Sequence, residues 1–413
     1  DIQKMPGSKW FGDSRLNFAE NLLKFKNDNV AIRFFGEDMV KKELTFNELY
    51  SEVNKTQSYF KSIGICKGDI IAGYIPNIPE AIICMLAASS LGAIWSSCSP
   101  DFGVVGVLDR FEQIQPKVLI IADGYYYKGK KINYSEKVNQ VIDGLESVIK
   151  IIEVEYIKFE NEYSVESIKY SQIPDQLKEY IEFCPLPFDY PLYIMYSSGT
   201  TGKPKSIVHS AGGTLIQHLK ELILHVDLRE GENLFYFTTC GWMMWNWLVS
   251  GLAVGVTVNL FDGNPFYPSY DFLLKIADKY NFNVFGTSAK YISSLENFDV
   301  VPKDLSDFKS LKSILSTGSP LMEENYDFVY QKWKKDVQLS SISGGTDIIS
   351  CFALGNPIMP VYRGELQCRG LGMAVNSFDD SGKSVINQTG ELVCIKPFPS
   401  MPIYFWNDEN NQK

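Results

Sequence analysis

The chain reads as an α/β protein: two helix-covered, mostly parallel sheets, with a small antiparallel β subdomain at the C-terminal end. Three observations predict this. Short apolar runs alternate with helical patterns along most of the 413 residues, as expected of parallel strands joined by covering helices. The length exceeds what one small core can organise, so two or three units are expected. After Gly344 the texture changes, because DDSGK and NQTG are turn signals between short strands. The expected units are 1–190 and 191–345, both α/β, and 346–413, the small β subdomain.

The elements run in this order. IIAGYI at 70–75 reads as a strand, then Pro76-Asn77 and a helix over 78–91. The apolar run near 81–95 is broken by Ser89, Ser90 and Gly92, so it is a buried helix and turn, not a membrane span. Strands are expected at 118–123 and 148–154. Residues 155–190 are more polar and contain Pro174, Pro185 and Pro187; they read as a connection with one short helix near 175–182. From 192 a second unit begins with a strand, a loop, a strand and a helix near 211–224. Further strands are expected at 234–238, 256–261, 284–287, 313–317 and 339–343. Helices near 242–253, 270–280, 288–296 and 321–334 lie between them, consistent with right-handed crossovers in a parallel sheet.

Composition excludes several classes. A net charge of −10 argues against a nucleic-acid partner, which needs a basic face. The 8 cysteines show no CxxC pair and read as reduced thiols of a cytoplasmic protein. No signal peptide or membrane-inserting segment is expected. With only 3 histidines, neither a zinc site nor a hydrolase triad is easily built. His209 comes just after the most informative loop of the chain and either approaches a phosphate or packs at a strand end.

That loop is YSSGTTGKPK at 196–205. It sets Ser197, Ser198, Thr200 and Thr201 around Gly199 and Gly202, then adds Lys203 and Lys205. Small residues, hydroxyls, free N–H groups and two cations suit a polyphosphate. The alternative is a flexible surface hairpin loop. The ordinary P-loop is excluded, because Pro204 follows Lys203 ahead of a strand rather than a helix. SISGGTD at 341–347 and STGSP at 316–320 both end strands, where ligands of open α/β sheets bind. Each can also be a plain turn, the first with an Asp cap, the second with Pro320 in the first helical turn. FTTCGWMMW at 237–245 is by itself as consistent with core as with a site.

Taken together, these segments resemble the adenylate-forming enzymes: acyl-CoA synthetases, luciferases and peptide-synthetase adenylation domains. The resemblance implies the large domain of that fold. It implies that Thr200, Thr201 and Lys205, with Ser197, Ser198, Gly199, Gly202 and Lys203, hold the ATP phosphates. Thr346 would contact the AMP phosphate and Asp347 would ligate Mg²⁺, with Gly345 beside them. Asp347 stands where the family has Glu, and Ser343 where it has an aromatic residue. Gly318, Ser319 and Pro320, with Thr317, would line the adenine and acyl sites; Trp242, Met243 and Met244 would line the carboxylate pocket. Gly241-Trp242 is similar to the short-chain acetyl- and propionyl-CoA enzymes. The short-chain acetyl-CoA synthetases wall off the acyl pocket with a tryptophan where Gly344 stands here. The resemblance therefore implies room for a longer acid, and long matching stretches such as 343–373 narrow it to a ligase of a four-carbon keto acid. A tight turn at Gly344 is the other reading. Lys128 and Lys130, after YYY at 125–127, fall near where relatives hold the 3′-phosphate of coenzyme A.

The implied reaction uses ATP, Mg²⁺, coenzyme A and a small carboxylic acid. Its nucleophile is an already ionised carboxylate, so positioning and charge neutralisation suffice. Two other readings remain: a ligase for propionate, butyrate or another small acid, and a non-catalytic nucleotide-binding domain. The resemblance also implies that the mobile C-terminal domain with its catalytic lysine is absent from these residues, so that they should show little adenylation alone.

Overall fold

The computed structural model describes residues 4, 5, 7–175, 180–197 and 202–408. Two large sheets dominate it. The first has eight strands in the order Ser167–Lys169, Lys150–Val154, Val118–Ala122, Ile70–Tyr74, Ile94–Cys98, Pro191–Tyr196, Ser206–Ser210 and Tyr404–Phe405. It is parallel as far as Pro191–Tyr196, and the last two strands then pair antiparallel. The second has seven strands in the order Gln338–Ser341, Ser313–Ser316, Val284–Thr287, Asn233–Tyr236, Thr257–Asp262, Val30–Gly36 and Val40–Thr45. Only its last pair is antiparallel.

Between the sheets lies the helix Pro79–Ser90. Proline at its first turn needs no N–H partner, and all twelve residues are buried, so the helix has no solvent face. Its core takes Ile71 and Ile120 from one sheet and Ile32, Val258 and Leu260 from the other. The helix Phe46–Ser62 begins with a Thr45–Glu48 capping box and buries Phe46, Leu49, Val53 and Phe60.

The expected boundary at 190 does not separate the sheets. The hairpin 191–210 completes the first sheet, and the hairpin 30–45, which the sequence reading did not single out, completes the second. Alternation identifies a strand but carries no information about which sheet it joins. The β region expected at 346–413 also differs. It starts at Ser343–Gly345, forms one three-stranded and one two-stranded antiparallel sheet, and returns Tyr404–Phe405 to the eight-stranded sheet. The connection 155–190 contains two short strands, Ser167–Lys169 and Leu186–Pro187, while residues 176–179 of the helix expected near 175–182 lie outside the described residues. Among the described residues no helix is long and apolar enough to cross a membrane.

Candidate functional site

The segments 197–205, 237–245, 316–320 and 341–347 all begin at or directly after the carboxyl ends of parallel strands, where side chains and backbone leave the sheet. The strand Pro191–Tyr196 delivers Ser197. Its N–H donates to the Lys205 carbonyl at 3.2 Å, and the Lys205 N–H donates to Ser197 Oγ at 3.2 Å, so a reciprocal pair joins the two ends of the segment 197–205. Ser198, Gly199, Thr200 and Thr201, expected within that loop, lie outside the described residues. Gly202 has φ +94°, a conformation that side chains rarely adopt. Lys203 is turned to the helix Val104–Ile114, with Nζ 3.3 Å from Glu112 and 3.7 Å from Asp109. The same helix takes the Pro204 carbonyl through Gln113 Nε2 at 2.8 Å. Lys205 Nζ stands 5.5 Å from the Phe405 ring centroid.

A cleft of about 340 Å³ opens between the ends of Ser313–Ser316 and Gln338–Ser341, lined by Thr317, Gly318, Ser319, Pro320, Ser343 and Gly344 among others. Gly318 has φ +91° and open space where a Cβ would stand. Thr317 Oγ1 donates to the Ile342 carbonyl at 3.0 Å, joining the two strand ends.

The acyl wall departs from expectation. Met243 and Met244 line a separate cavity of about 10 Å³ with Trp247, Ile342, Cys351 and Glu221, room for one water or a methyl group. Ile342 borders both this cavity and the Gly344 cleft. Trp242 is 60% exposed. Gly344 therefore does not face Trp242 and Met244 across one pocket. A Cβ on Gly344 would lie 2.1 Å from the Ser350 carbonyl oxygen and 2.3 Å from Cys351 Cα. The space that an indole would need is taken by the neighbouring strand, and the missing side chain lets that strand close.

Gly345 leads into the short turn Thr346–Ile348. Thr346, Gly241 and Tyr196 line one crevice, so the strand end before Ser197, the Gly-Trp segment and the Thr-Asp motif lie side by side. Asp347 is exposed. Among the described residues no group of three or more His, Cys, Asp or Glu could hold a metal ion. A single carboxylate fits Mg²⁺ only where phosphate oxygens and water supply the remaining ligands, which is how that ion is usually held.

His209 is packed and does not reach toward the loop. It is 1% exposed, and burial pushes its pKa down to about 3, so the ring is neutral and Nε2 donates to the Thr346 carbonyl at 2.8 Å. The other two histidines, His218 and His225, are equally buried, and burial lowers both. His218 contacts the Ile349 carbonyl and His225 the Gly355 carbonyl, each at 2.8 Å. Sequence reading missed these two partners, as it missed Glu221, whose buried carboxylate accepts from Trp247, Gln217, Ser350 and Cys351. The separations in sequence, 129 and 130 residues for the Ser350 and Cys351 contacts, leave no local signal.

Lys128 and Lys130 sit on a two-stranded hairpin, Tyr125–Tyr127 with Lys130–Ile132. The buried carboxylate of Glu37 accepts from the backbone N–H groups of Lys128 and Gly129 at 2.7 and 2.6 Å, so the hairpin tip is fixed while both lysine side chains are exposed.

Comparison with known proteins agrees with this arrangement. A family model described as AMP-binding enzyme matches residues 18–405. The acetoacetyl-coenzyme A synthetase of Rhizobium meliloti (strain 1021) is 51% identical over 424 aligned residues, covering 100% of this chain and 64% of that protein. The acetoacetyl-CoA synthetase of Gallus gallus is 48% identical, covering 98% of this chain and 62% of that protein. The solved acetoacetyl-CoA synthetase from Streptomyces lividans superposes with a TM-score of 0.95 at 38% identity, covering 100% of this chain and 64% of that one. The chain thus spans less than two thirds of the length of these relatives.

Proposed function

The chain belongs to the AMP-binding enzyme family, and from that premise we propose that it serves an ATP-dependent ligase joining acetoacetate to coenzyme A. Acetoacetate and ATP give acetoacetyl-AMP and pyrophosphate; the adenylate and coenzyme A then give acetoacetyl-CoA and AMP. The observation that carries the acid is the similarity to acetoacetyl-CoA synthetases along the whole chain. The observation that supports the chemistry is the convergence of Tyr196, Gly241 and Thr346 on one crevice.

In this reading the carboxylate of the acid attacks the α-phosphorus without needing a base. The chain's contribution is orientation and charge. Thr200, Thr201 and Lys205 hold the polyphosphate, and the cleft at Gly318–Ser319–Pro320 takes the adenine. Thr346 contacts the phosphate that is being acylated. Asp347 would hold Mg²⁺, which when bound neutralises phosphate charge. Lys128 and Lys130 offer exposed cations for the 3′-phosphate of coenzyme A. Such charge-assisted contacts contribute about 1.5–3 kcal/mol each.

The test is pyrophosphate release by the full-length protein with ATP, Mg²⁺ and a panel of acetoacetate, acetate, propionate and butyrate. The expected result is the highest kcat/KM for acetoacetate. A higher value for propionate or butyrate would replace the acid. No release with any acid would overturn adenylation itself.

A further inference from the structure

Asp347 is carried on a turn that a single backbone hydrogen bond closes. The turn is one short 3₁₀ stretch, Thr346–Ile348, and it ends on Ile349 at φ +55°. A β-branched residue in the left-handed region is strained, and such strain persists only where the surroundings over-determine it. Two buried imidazoles do so here. The Thr346 carbonyl accepts from the Ile349 N–H at 3.1 Å and from His209 Nε2 at 2.8 Å. The Ile349 carbonyl accepts from His218 Nε2 at 2.8 Å, while His218 Nδ1 meets Ser250 Oγ at 2.8 Å. The Ile349 carbonyl can only accept, so it fixes the Nε2-protonated tautomer of His218; the Ser250 hydroxyl, which also lies 3.2 Å from the Asn246 carbonyl, faces the bare Nδ1. His209 is on the strand Ser206–Ser210, directly after Lys205 and the phosphate loop.

We propose that His209, supported by His218, is a positioning residue that registers the Thr346-Asp347 turn against the strand Ser206–Ser210. The contact couples two parts of the site that are 137 residues apart in sequence. It acts through a backbone carbonyl, so Asp347 moves if the imidazole is lost, although His209 itself touches no reacting atom. The consequence for turnover rests on the ligase reading above; the positioning contact does not.

The experiment uses the full-length protein with His209→Leu, His209→Gln and, as a control, Val208→Ala, the buried neighbour on the same strand. Two quantities are read: amide hydrogen exchange over 343–351 without nucleotide, and the Mg²⁺ concentration for half-maximal pyrophosphate release. His209→Leu should speed exchange at least tenfold and raise the Mg²⁺ requirement severalfold. His209→Gln, whose amide keeps an N–H donor, should recover most of both. Val208→Ala should lower the melting temperature and leave both near wild type. Unchanged exchange in His209→Leu would overturn the proposal, as would an equal change in Val208→Ala. Faster exchange with an unaltered Mg²⁺ requirement would reduce His209 to a structural role. If the wild type releases no pyrophosphate with any acid, the ligase reading fails and exchange alone decides the positioning claim.

Discussion

At the scale of single residues, side-chain chemistry and side-chain direction diverge. Thr346 and Asp347 stand out in the sequence as the end of a small-residue run after a strand, although a plain turn with an Asp cap gives the same pattern. Asp347→Asn keeps the size and removes the charge that a hard cation prefers. The expected outcome is a large loss of pyrophosphate-release rate with a raised Mg²⁺ requirement, measured by titrating Mg²⁺ at fixed ATP; wild-type dependence would move the metal elsewhere. Gly344 was legible as a special position, read either as an emptied pocket wall or as a tight turn. Sequence suggests an emptied pocket wall, whereas the backbone directs the missing Cβ into the strand Ser350–Leu354, at 2.1 Å from the Ser350 oxygen. Gly344→Ala should therefore act as overpacking, costing about 1–3 kcal/mol. Thermal melting checks this: an alanine variant that melts like wild type, with altered acid preference, would restore the size-gate view.

At the scale of elements, strands and helices were readable where periodicity is local, and unreadable where a loop is held by one distant side chain. A strand was expected over 118–123, and it ends at Ala122; the role of Asp123 was not expected. Asp123, 1% exposed, accepts four backbone N–H groups, from Tyr156 at 2.9, Ile157 at 2.8, Lys158 at 2.6 and Phe159 at 3.0 Å. One carboxylate thus folds a connection that sequence shows only as a polar stretch. An unsatisfied buried donor costs about 1–3 kcal/mol, and Asp123→Ala orphans four. The expected loss is at least about 3 kcal/mol, with Asp123→Asn less severe because one acceptor oxygen remains. Chemical denaturation of both variants measures it; an alanine variant within about 1 kcal/mol of wild type would show that the nest is redundant. The second missed feature is sheet membership, because a hairpin at 30–45 and another at 191–210 exchange places relative to chain order.

At the scale of the whole molecule, buried ionisable groups set how the fold responds to acid. Burial holds all three histidines low, His209 at about 3. An unfolded histidine titrates near 6.5. Below that pH the unfolded chain takes up protons that the folded rings refuse, so stability falls as the solution is acidified. For His209 alone the loss at pH 5 is about 2 kcal/mol. His225 adds a structural reason, since its Nε2 accepts the Leu371 N–H at 3.0 Å and would lose that bond on protonation. Asp262 works in the opposite direction. It keeps some surface at the end of its strand, but its carboxyl is enclosed, and burial raises it to about 7; the Tyr156 hydroxyl bond opposes the rise and the Glu37 charge adds to it. Its folded pKa exceeds the unfolded one, so stability grows as pH falls from about 7 toward 4. The carboxylates held low by ion pairs, such as Glu43 beside Arg33 and Lys41, change stability only below their ordinary range. The window from pH 7 to pH 5 therefore contrasts three histidines with one aspartate. Wild type should melt lower at pH 5 than at pH 7. His209→Gln removes one acid-sensitive ring and should shrink that difference, whereas Asp262→Asn removes the opposing group and should widen it. Melting curves of the three proteins at both pH values decide the matter, and an identical pH difference in all three would mean that these buried groups do not control the acid response.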